Sequence, residues 1–499
     1  MLPVPTPIDS DCARYLGAAL LILVAFRLDC DLAAGEAMPV ASDADADWLR
    51  PLFAAATQAA HDRNEVKVAE SVREDATLAV ESAEGQFNPT LTVTPSYEDN
   101  QSLSNNVLSG PDYVRTRTGT ASATVSKNFA SGTAVNVGTS SALSRSDGSQ
   151  VISSSFFTSS VYLTVAQQLL HGGNRDANLE PIRIALDALA VNRDQVDTIL
   201  EGVLGDLADR WLALALADAS ITQLRAAVRQ SKDSLAQHEE RLRTGLSRGL
   251  DVLSLRRGLV DQEVPLSTAQ RAFAAQVRQF GLYWPGLVPP DRSCLLKTAL
   301  PALPALVTFA TTRDGIAITR LLDAADRTVR VTADGSLDNL SLSTTLTKGG
   351  GDPTFGGSWH QVGDRQSYDF LVGLTYTHVF GNAPNVVAYQ QSLLARERAH
   401  FTARIAERDW TAIELQLRDA FTDALSSVAE RERQLTAAQD ELQLTAAQVE
   451  ANRATTQLLI DAQQRVSDAV LARAAARIAV LSADLHLRQH DHRLLGLLP

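Results

Sequence analysis

The chain has 499 residues, a formal net charge of −13, a pI near 5.2, 45% hydrophobic and 21% charged residues. That acidic balance argues against nucleic acid, which selects a basic face, and the modest charged fraction argues against disorder. Of three cysteines only Cys294 lies in the body of the chain, so no disulfide framework or paired-cysteine metal site can form there.

Residues 1–37 read as a signal peptide. The apolar run Tyr15–Phe26 is about 12 residues, too short for a bilayer span and the size of a signal core. Ala33-Ala34-Gly35 and Gly35-Glu36-Ala37 both offer small-x-small cleavage sites, although Asp9 and Asp11 outnumber Arg14 at the start. Arg27 and Asp29 stand where a lipoprotein signal ending at Cys30 needs a large apolar and a small residue.

A first repeat is expected over 38–286. It opens with a helix at Leu52–Glu84, followed by a Ser-, Thr- and Gly-rich region with alternating stretches such as Leu91-Thr92-Val93-Thr94 and Val161-Tyr162-Leu163-Thr164-Val165. Alternation means strands with one apolar face, here about Pro89–Glu98, Arg115–Asn128, Thr133–Arg145 and Phe156–Gln168. A long helix over about 174–245 comes next, about 70 residues and on the order of 100 Å at 1.5 Å per residue. It carries a seven-residue apolar ladder, Leu214, Ile221, Val228, Leu235 and Leu242, that extends back through Leu207 and Leu200 to Leu186 with one break at Arg193. A strict period of seven means helices that supercoil around partners. A return helix over about 250–284 closes the repeat, and the proline-bearing stretch 287–311 is a linker expected on the outside of the trunk.

The second repeat, 312–499, has the same order. A helix at Thr312–Asp334 precedes strands at about Asp338–Lys348 and Ser367–Val379, a long helix over about 385–451 and a return helix over about 458–494. Its ladder, Phe421, Val428, Leu435, Leu442 and Val449, lies 207 positions after the first, so the chain reads as an internal duplication. Phe370, Val372, Leu374, Tyr376 and His378 alternate with Leu371, Gly373, Thr375 and Thr377, the pattern of a membrane strand with lipid on one side and a wet lumen on the other. Five of the eight tyrosines (Tyr97, Tyr113, Tyr162, Tyr368, Tyr376) fall in the strand regions, as aromatic girdles would place them. So few strands cannot close a barrel alone, so several chains must share one. The short helices, laid end to end in pairs, match the long ones in length. The extra hairpin of the first repeat either enlarges the barrel or folds outside it.

On these residues the chain resembles the TolC-like outer-membrane efflux and secretion proteins. Phe87-Asn88-Pro89-Thr90-Leu91 leads helix into strand, while Leu169-Leu170-His171-Gly172-Gly173-Asn174 and Val379-Phe380-Gly381-Asn382 lead strands into long helices. Gly245 with Asp251-Val252-Leu253, and Asp461-Ala462-Gln463, resemble the family's tip turns; the resemblance spans Leu52 to Leu498 and rests on order and spacing, since no single motif is specific. It implies an α+β membrane protein: a homotrimer with one shared transmembrane β-barrel in outer-membrane lipid, continued by a periplasmic α-barrel of long antiparallel coiled helices. A periplasmic adaptor and an inner-membrane transporter are the implied partners. No cofactor is implied, and the implied function is conduction rather than catalysis. The sequence has no GxxxxGK[ST] loop, so energy must come from the transporter.

The resemblance also singles out the tip. The repeat offset carries Gly245 onto Asn452 and Asp251 onto Leu458, so the second copy has lost both landmarks. Family carboxylates that ring the closed pore correspond to Leu458 and Asp461, of which only Asp461 is acidic. Three copies would focus negative charge on a narrow aperture; a solvated helix face is the plainer alternative. Asp251 follows Gly249 near a helix start, so capping is an equal reading. The family's basic latch position is Ala454 here, with Arg453 beside it. His486, His490 and His492 contain one i, i+4 pair that could hold a metal, but read more simply as polar residues at a helix end. Gly172-Gly173 and Gly349-Gly350-Gly351 read as a joint and a loop rather than phosphate sites, and no Ser/His/Asp or Cys/His set argues for an enzyme. A trimeric coiled-coil adhesin or periplasmic scaffold would share the export signal and heptads, without needing paired β segments or helices that reverse at a tip.

Overall fold

In the computed structural model, residues 47–103, 113–147, 155–245, 248–288, 290–292, 295–364, 367–451 and 453–498 are described. The expected signal peptide and all three cysteines lie outside them. The elements in chain order are α1 (Arg50–His61), α2 (Asn64–Glu84), β1 (Thr90–Leu103), β2 (Tyr113–Asn128), β3 (Thr133–Ser146), β4 (Ser155–Gln168), α3 (Arg175–Arg243) and α4 (Gly249–Tyr283), followed by α5 (Arg313–Gly335), β5 (Asn339–Asp352), α6 (Phe355–Gly363), β6 (Asp369–Thr377), α7 (Ala383–Glu450) and α8 (Thr456–His490).

The six strands form one antiparallel sheet in the order β1-β2-β3-β4-β5-β6. The hairpin β1–β2 is therefore hydrogen-bonded into the same sheet, with Leu91 opposite Val125 and Val93 opposite Ala123. Register decides which side chains share a face. Following partners across the sheet, Val125 meets Val137, Val137 meets Leu163, Leu163 meets Leu346 and Leu346 meets Phe370. Because side chains alternate with period two, Leu91, Val93, Tyr97, Val161, Val165, Leu342, Val372, Leu374 and Tyr376 fall on that same apolar face. The opposite face carries Thr92, Thr94, Ser122, Thr124, Asn136, Ser140, Ser160, Thr164, Thr345 and Thr375.

Tyr162 departs from the girdle expectation. It lies on the polar face, across Gly138, with its hydroxyl 2.6 Å from Thr124 Oγ1 on β2. A Cβ at Gly138 would fall 2.4 Å from the ring, so glycine makes room for it.

The trunk consists of two long helices, each flanked by two half-length partners. Thr312 and Thr455 cap α5 and α8 by accepting from the amides of Gly315 and Leu458, and Asn174 caps α3 by accepting from Asp176. The expected single first helix is divided at Asp62–Arg63, where Arg63 is extended with ψ 138°. Arg63 reaches α4 there, donating to the Tyr283 carbonyl and lying 5.4 Å from the Trp284 ring centroid. In the other half, His492 after α8 meets Asp314 at the start of α5. These contacts set the half-length helices end to end against α3 and α7.

Core residues gather at that junction. Trp48, Leu52 and Phe53 pack with Leu204, Leu207 and Trp211 of α3, Phe280 and Trp284 at the end of α4, and Ile478, Leu481 and Leu485 of α8. Trp48 stacks on Trp211 at 6.3 Å, and its indole N–H donates to the buried Asp484 carboxylate at 2.9 Å. Ladder positions Leu214, Ile221, Val228, Phe421, Val428, Leu435 and Val449 are buried, the middle of the second ladder packing on Ala469, Ala476 and Val480 of α8. Leu186 and Leu242, at the ends of the first ladder, are exposed.

The sheet is bound firmly to the helices. Gly172 adopts φ 78°, a left-handed conformation in which glycine carries no Cβ penalty. Its amide donates to the Asp334 carboxylate at 3.1 Å, and its carbonyl accepts from Asn178 Nδ2 at 2.8 Å. The expected joint at 169–174 is thereby held by the end of α5 and the first turns of α3.

Candidate functional site

The turns at the far end of the trunk bring together most of the residues expected there. Gly245 follows α3 with φ 75°. A cleft of about 610 Å³ is lined by Arg241, Gly245, Arg248 and Asp251 from the first turn and by Arg453 and Leu458 from the second. Asn452 lies outside the described residues.

Asp251 acts as a cap. Its carboxylate accepts from the Arg248 amide at 3.3 Å, while its own amide donates to the Arg248 carbonyl at 3.0 Å. The carboxylate also sits in the first turn of α4, where the helix dipole favours it. Arg453 shares the cleft but makes no ion pair with Asp251 or any other acid among the described residues; its amide donates to the Gln448 carbonyl at 2.8 Å. Leu458 is exposed at 51%. Asp461 stands about one turn further along α8, outside the cleft, half-buried and accepting from Gln457 Nε2 at 2.8 Å. The sequence reading overlooked Arg241 and Arg248. Both are near the Gly245 turn, and with Arg453 they make three arginines and one aspartate, Asp251, among the residues that line the cleft. The visible signal was the basic cluster Arg241, Arg243 and Arg248 at a helix reversal.

The C-terminal histidines do separate jobs. His486 faces Asp209 at 3.3 Å, and that carboxylate raises its pKa. His490 stacks on Trp410 at 4.8 Å. His492 lies between Asp314 at 3.4 Å and the buried Glu201 at 2.9 Å, and these hydrogen bonds, Asp314 foremost, raise its pKa to about 9. Arg313 joins Glu201 at 3.1 Å. No group of three or more metal-ligating side chains is assembled among the described residues. Nearby, burial and the adjacent Glu414 push Asp491 up to about 6.

The apolar face of the sheet is the other candidate surface. Leu91, Val93, Tyr97, Phe370, Val372, Leu374 and Tyr376 are each more than half exposed. Single exposed apolar residues are ordinary, but a continuous face of them marks an interaction surface. At one end of this face Asp99 pairs with Arg115 and lies 3.7 Å from Arg117. No helix among the described residues is long and apolar enough to cross a membrane.

Several solved structures share this arrangement. The transmembrane channel CusC superposes with a TM-score of 0.60 at 12% identity, covering 89% of this chain and 91% of its own. The outer-membrane channel OprN gives 0.59 at 15% identity, with 91% of each chain covered. The open state of the Neisseria gonorrhoeae MtrE outer-membrane channel gives 0.58 at 14% identity, with 89% of each chain covered. The chain has the fold of these outer-membrane channels. No protein-family model matches it, and neither does any curated protein sequence.

Proposed function

We propose that this chain is the subunit of an outer-membrane export channel, a passive conduit that three copies build together. The observation that carries this reading is the six-stranded sheet, with an exposed apolar face and, among the described residues, no strand paired to the outer edge of β1 or of β6. In lipid an open edge leaves backbone groups unsatisfied, and closure removes the edges. Six strands per copy would make about eighteen in a trimer, and barrel diameter grows roughly in step with strand number. That exceeds the twelve given by two strands per repeat.

The helices support a duplicated trunk. Arg243 and Glu450 end the long helices 207 positions apart, as do Tyr283 and His490 at the ends of the return helices. On this reading the trunk extends into the periplasm, where a periplasmic adaptor and an inner-membrane transporter supply cargo and energy. The tip is its aperture. Asp461 is the acidic candidate for the pore ring, with the Arg241, Arg248 and Arg453 guanidinium groups close by at the rim.

Reconstitution into planar bilayers tests the proposal, together with cross-linking of the detergent-extracted protein. Stable conductance steps from a cross-linkable trimer are expected. A non-conducting oligomer would favour an adhesin or scaffold and reject the channel.

A further inference from the structure

The loop between β5 and β6 contains a helix, α6. Helix α6 lies on the apolar face of the sheet rather than on the polar one. Ser358 Oγ is 2.8 Å from Ser159 Oγ in a buried contact, and Ser159 faces Gly350 across the β4–β5 ladder. Phe355 meets Phe157 edge-on with centroids 5.8 Å apart. Ser159, Gly350 and Phe157 all belong to the face that carries Leu163 and Leu346.

The Gly349-Gly350-Gly351 run gains a reason here. A Cβ on Gly350 would fall 2.3 Å from the Ser358 carbonyl oxygen and 2.9 Å from the Val362 amide nitrogen. Glycine therefore lets the helix backbone rest directly on the strand. Three polar ties fix it in place. The Asp352 carboxylate accepts from the Thr354 amide at 2.8 Å, Thr354 Oγ1 caps the helix by accepting from Gly357 at 3.2 Å, and the Gly351 amide donates to Gln361 Oε1 at 3.1 Å.

Its height along the strands is informative. On β5 the apolar face reads Leu340, Leu342, Thr344 and Leu346, then changes to Lys348, Gly350 and Asp352. The helix sits over that change. Tyr368, just before β6, stands at the same end of the sheet and is 70% exposed. Phe355 and Trp359 pack edge to face at 6.4 Å, with Phe355 more than half exposed and Trp359 half-buried. Aromatic rings beside cationic groups at the limit of an apolar band match the boundary between acyl chains and headgroups.

We propose that α6 is an interfacial helix, seated on the outside of the barrel, that places Phe355 and Trp359 among the headgroups and upper acyl chains of the outer leaflet, with Lys348 facing lipid phosphate. This rests on the sheet being the membrane-facing wall of the channel. The sheet's own apolar face continues into the aromatic flank of the helix, so lipid that wets one also reaches the other.

Trp359 is a natural probe, because Trp48, Trp211, Trp284 and Trp410 are all buried in the helical trunk. The full chain is reconstituted in phosphatidylcholine vesicles whose acyl chains are brominated either near the headgroup or near the tail end. Trp359 emission should be quenched more by the shallow label, and Trp359→Phe should remove the quenchable share. A Val372→Trp, Trp359→Phe protein reports on the middle of the apolar band and should be quenched more by the deep label. If this second protein is quenched but Trp359 in the parent chain yields only to aqueous acrylamide, or to neither quencher, α6 faces water or protein and the proposal fails alone. If neither tryptophan responds to brominated lipid, the membrane wall fails and the proposal falls with it.

Discussion

The junction at His492 yields a quantitative prediction. The imidazole lies between Asp314 on α5 and Glu201 on α3, and its pKa stands at about 9 against an ordinary 6.5. Such a displacement corresponds to about 3.4 kcal/mol if all of it were expressed as stability. Arg313 also holds Glu201 and the Asp314 carboxylate is exposed, so partner sharing and solvent screening reduce the expected contribution to about 1.5–2 kcal/mol. The folded-state pKa is raised, so the contribution is complete below about pH 6.5 and disappears as pH rises through about 9. His492 also has φ 56° after the C-terminus of α8, a conformation that asparagine tolerates. His492→Asn therefore removes the charge while keeping the turn. Thermal unfolding in detergent, followed by circular dichroism at pH 6.5 and pH 9.5, compares the two proteins. The parent should be the more stable by about 1.5–2 °C at pH 6.5, and the difference should close at pH 9.5. Asp491 titrates near pH 6, below the interval in which the gap closes. A gap of equal size at both pH values would show that the His492 charge holds nothing together.

Gly138→Leu drives a side chain into the Tyr162 ring and should lower the temperature at which the barrel unfolds on heat-modifiability gels; adding Tyr162→Ala should recover part of the loss, and failure to recover would place the damage elsewhere. Asp461→Ala should weaken cation preference in single-channel recordings. Unchanged selectivity would remove Asp461 from the pore ring.

Long-period features were legible because their causes are local. The apolar ladders around Leu214 and Phe421 specify which helix face is buried, and alternation along 370–378 specifies a two-faced strand. The hidden parts depend on distant partners. Glu201 looks like any helical acid until His492, 291 positions away, bonds it. Helix α6 was hidden for a similar reason: Phe355–Gly363 holds three glycines in nine residues, poor helix formers, and its support comes from the Thr354 cap and a seat on Ser159 and Gly350. Tyr162 was assigned to the girdle from its location in a strand, whereas its register places it on the polar face. At the tip, glycine and aspartate were recognised as turn residues, but the arginines converge only once both turns are folded. For Asp251 the capping reading was available from its place just after Gly249, and its carboxylate does cap α4.

The unequal edges of the sheet would constrain how copies meet in the proposed shared barrel. β1 is 14 residues long and β6 only nine, and nine tilted residues are about what a bilayer crossing requires. If β6 of one copy pairs with β1 of the next, only the lower part of β1, from Thr90 to about Glu98, is covered. That part holds Leu91, Val93 and Tyr97, the residues whose exposed apolar side chains need lipid. The remainder begins at Asp99, where the ion pair with Arg115 and the neighbouring Arg117 would be costly inside hydrocarbon. Charge and pairing length thus change at the same residue, so that in such a shared barrel the upper β1–β2 hairpin would stand above the bilayer as an extension of the wall. A barrel widened by this hairpin would therefore widen through all its membrane layers, because Thr90–Glu98 pairs with β2 along its whole length.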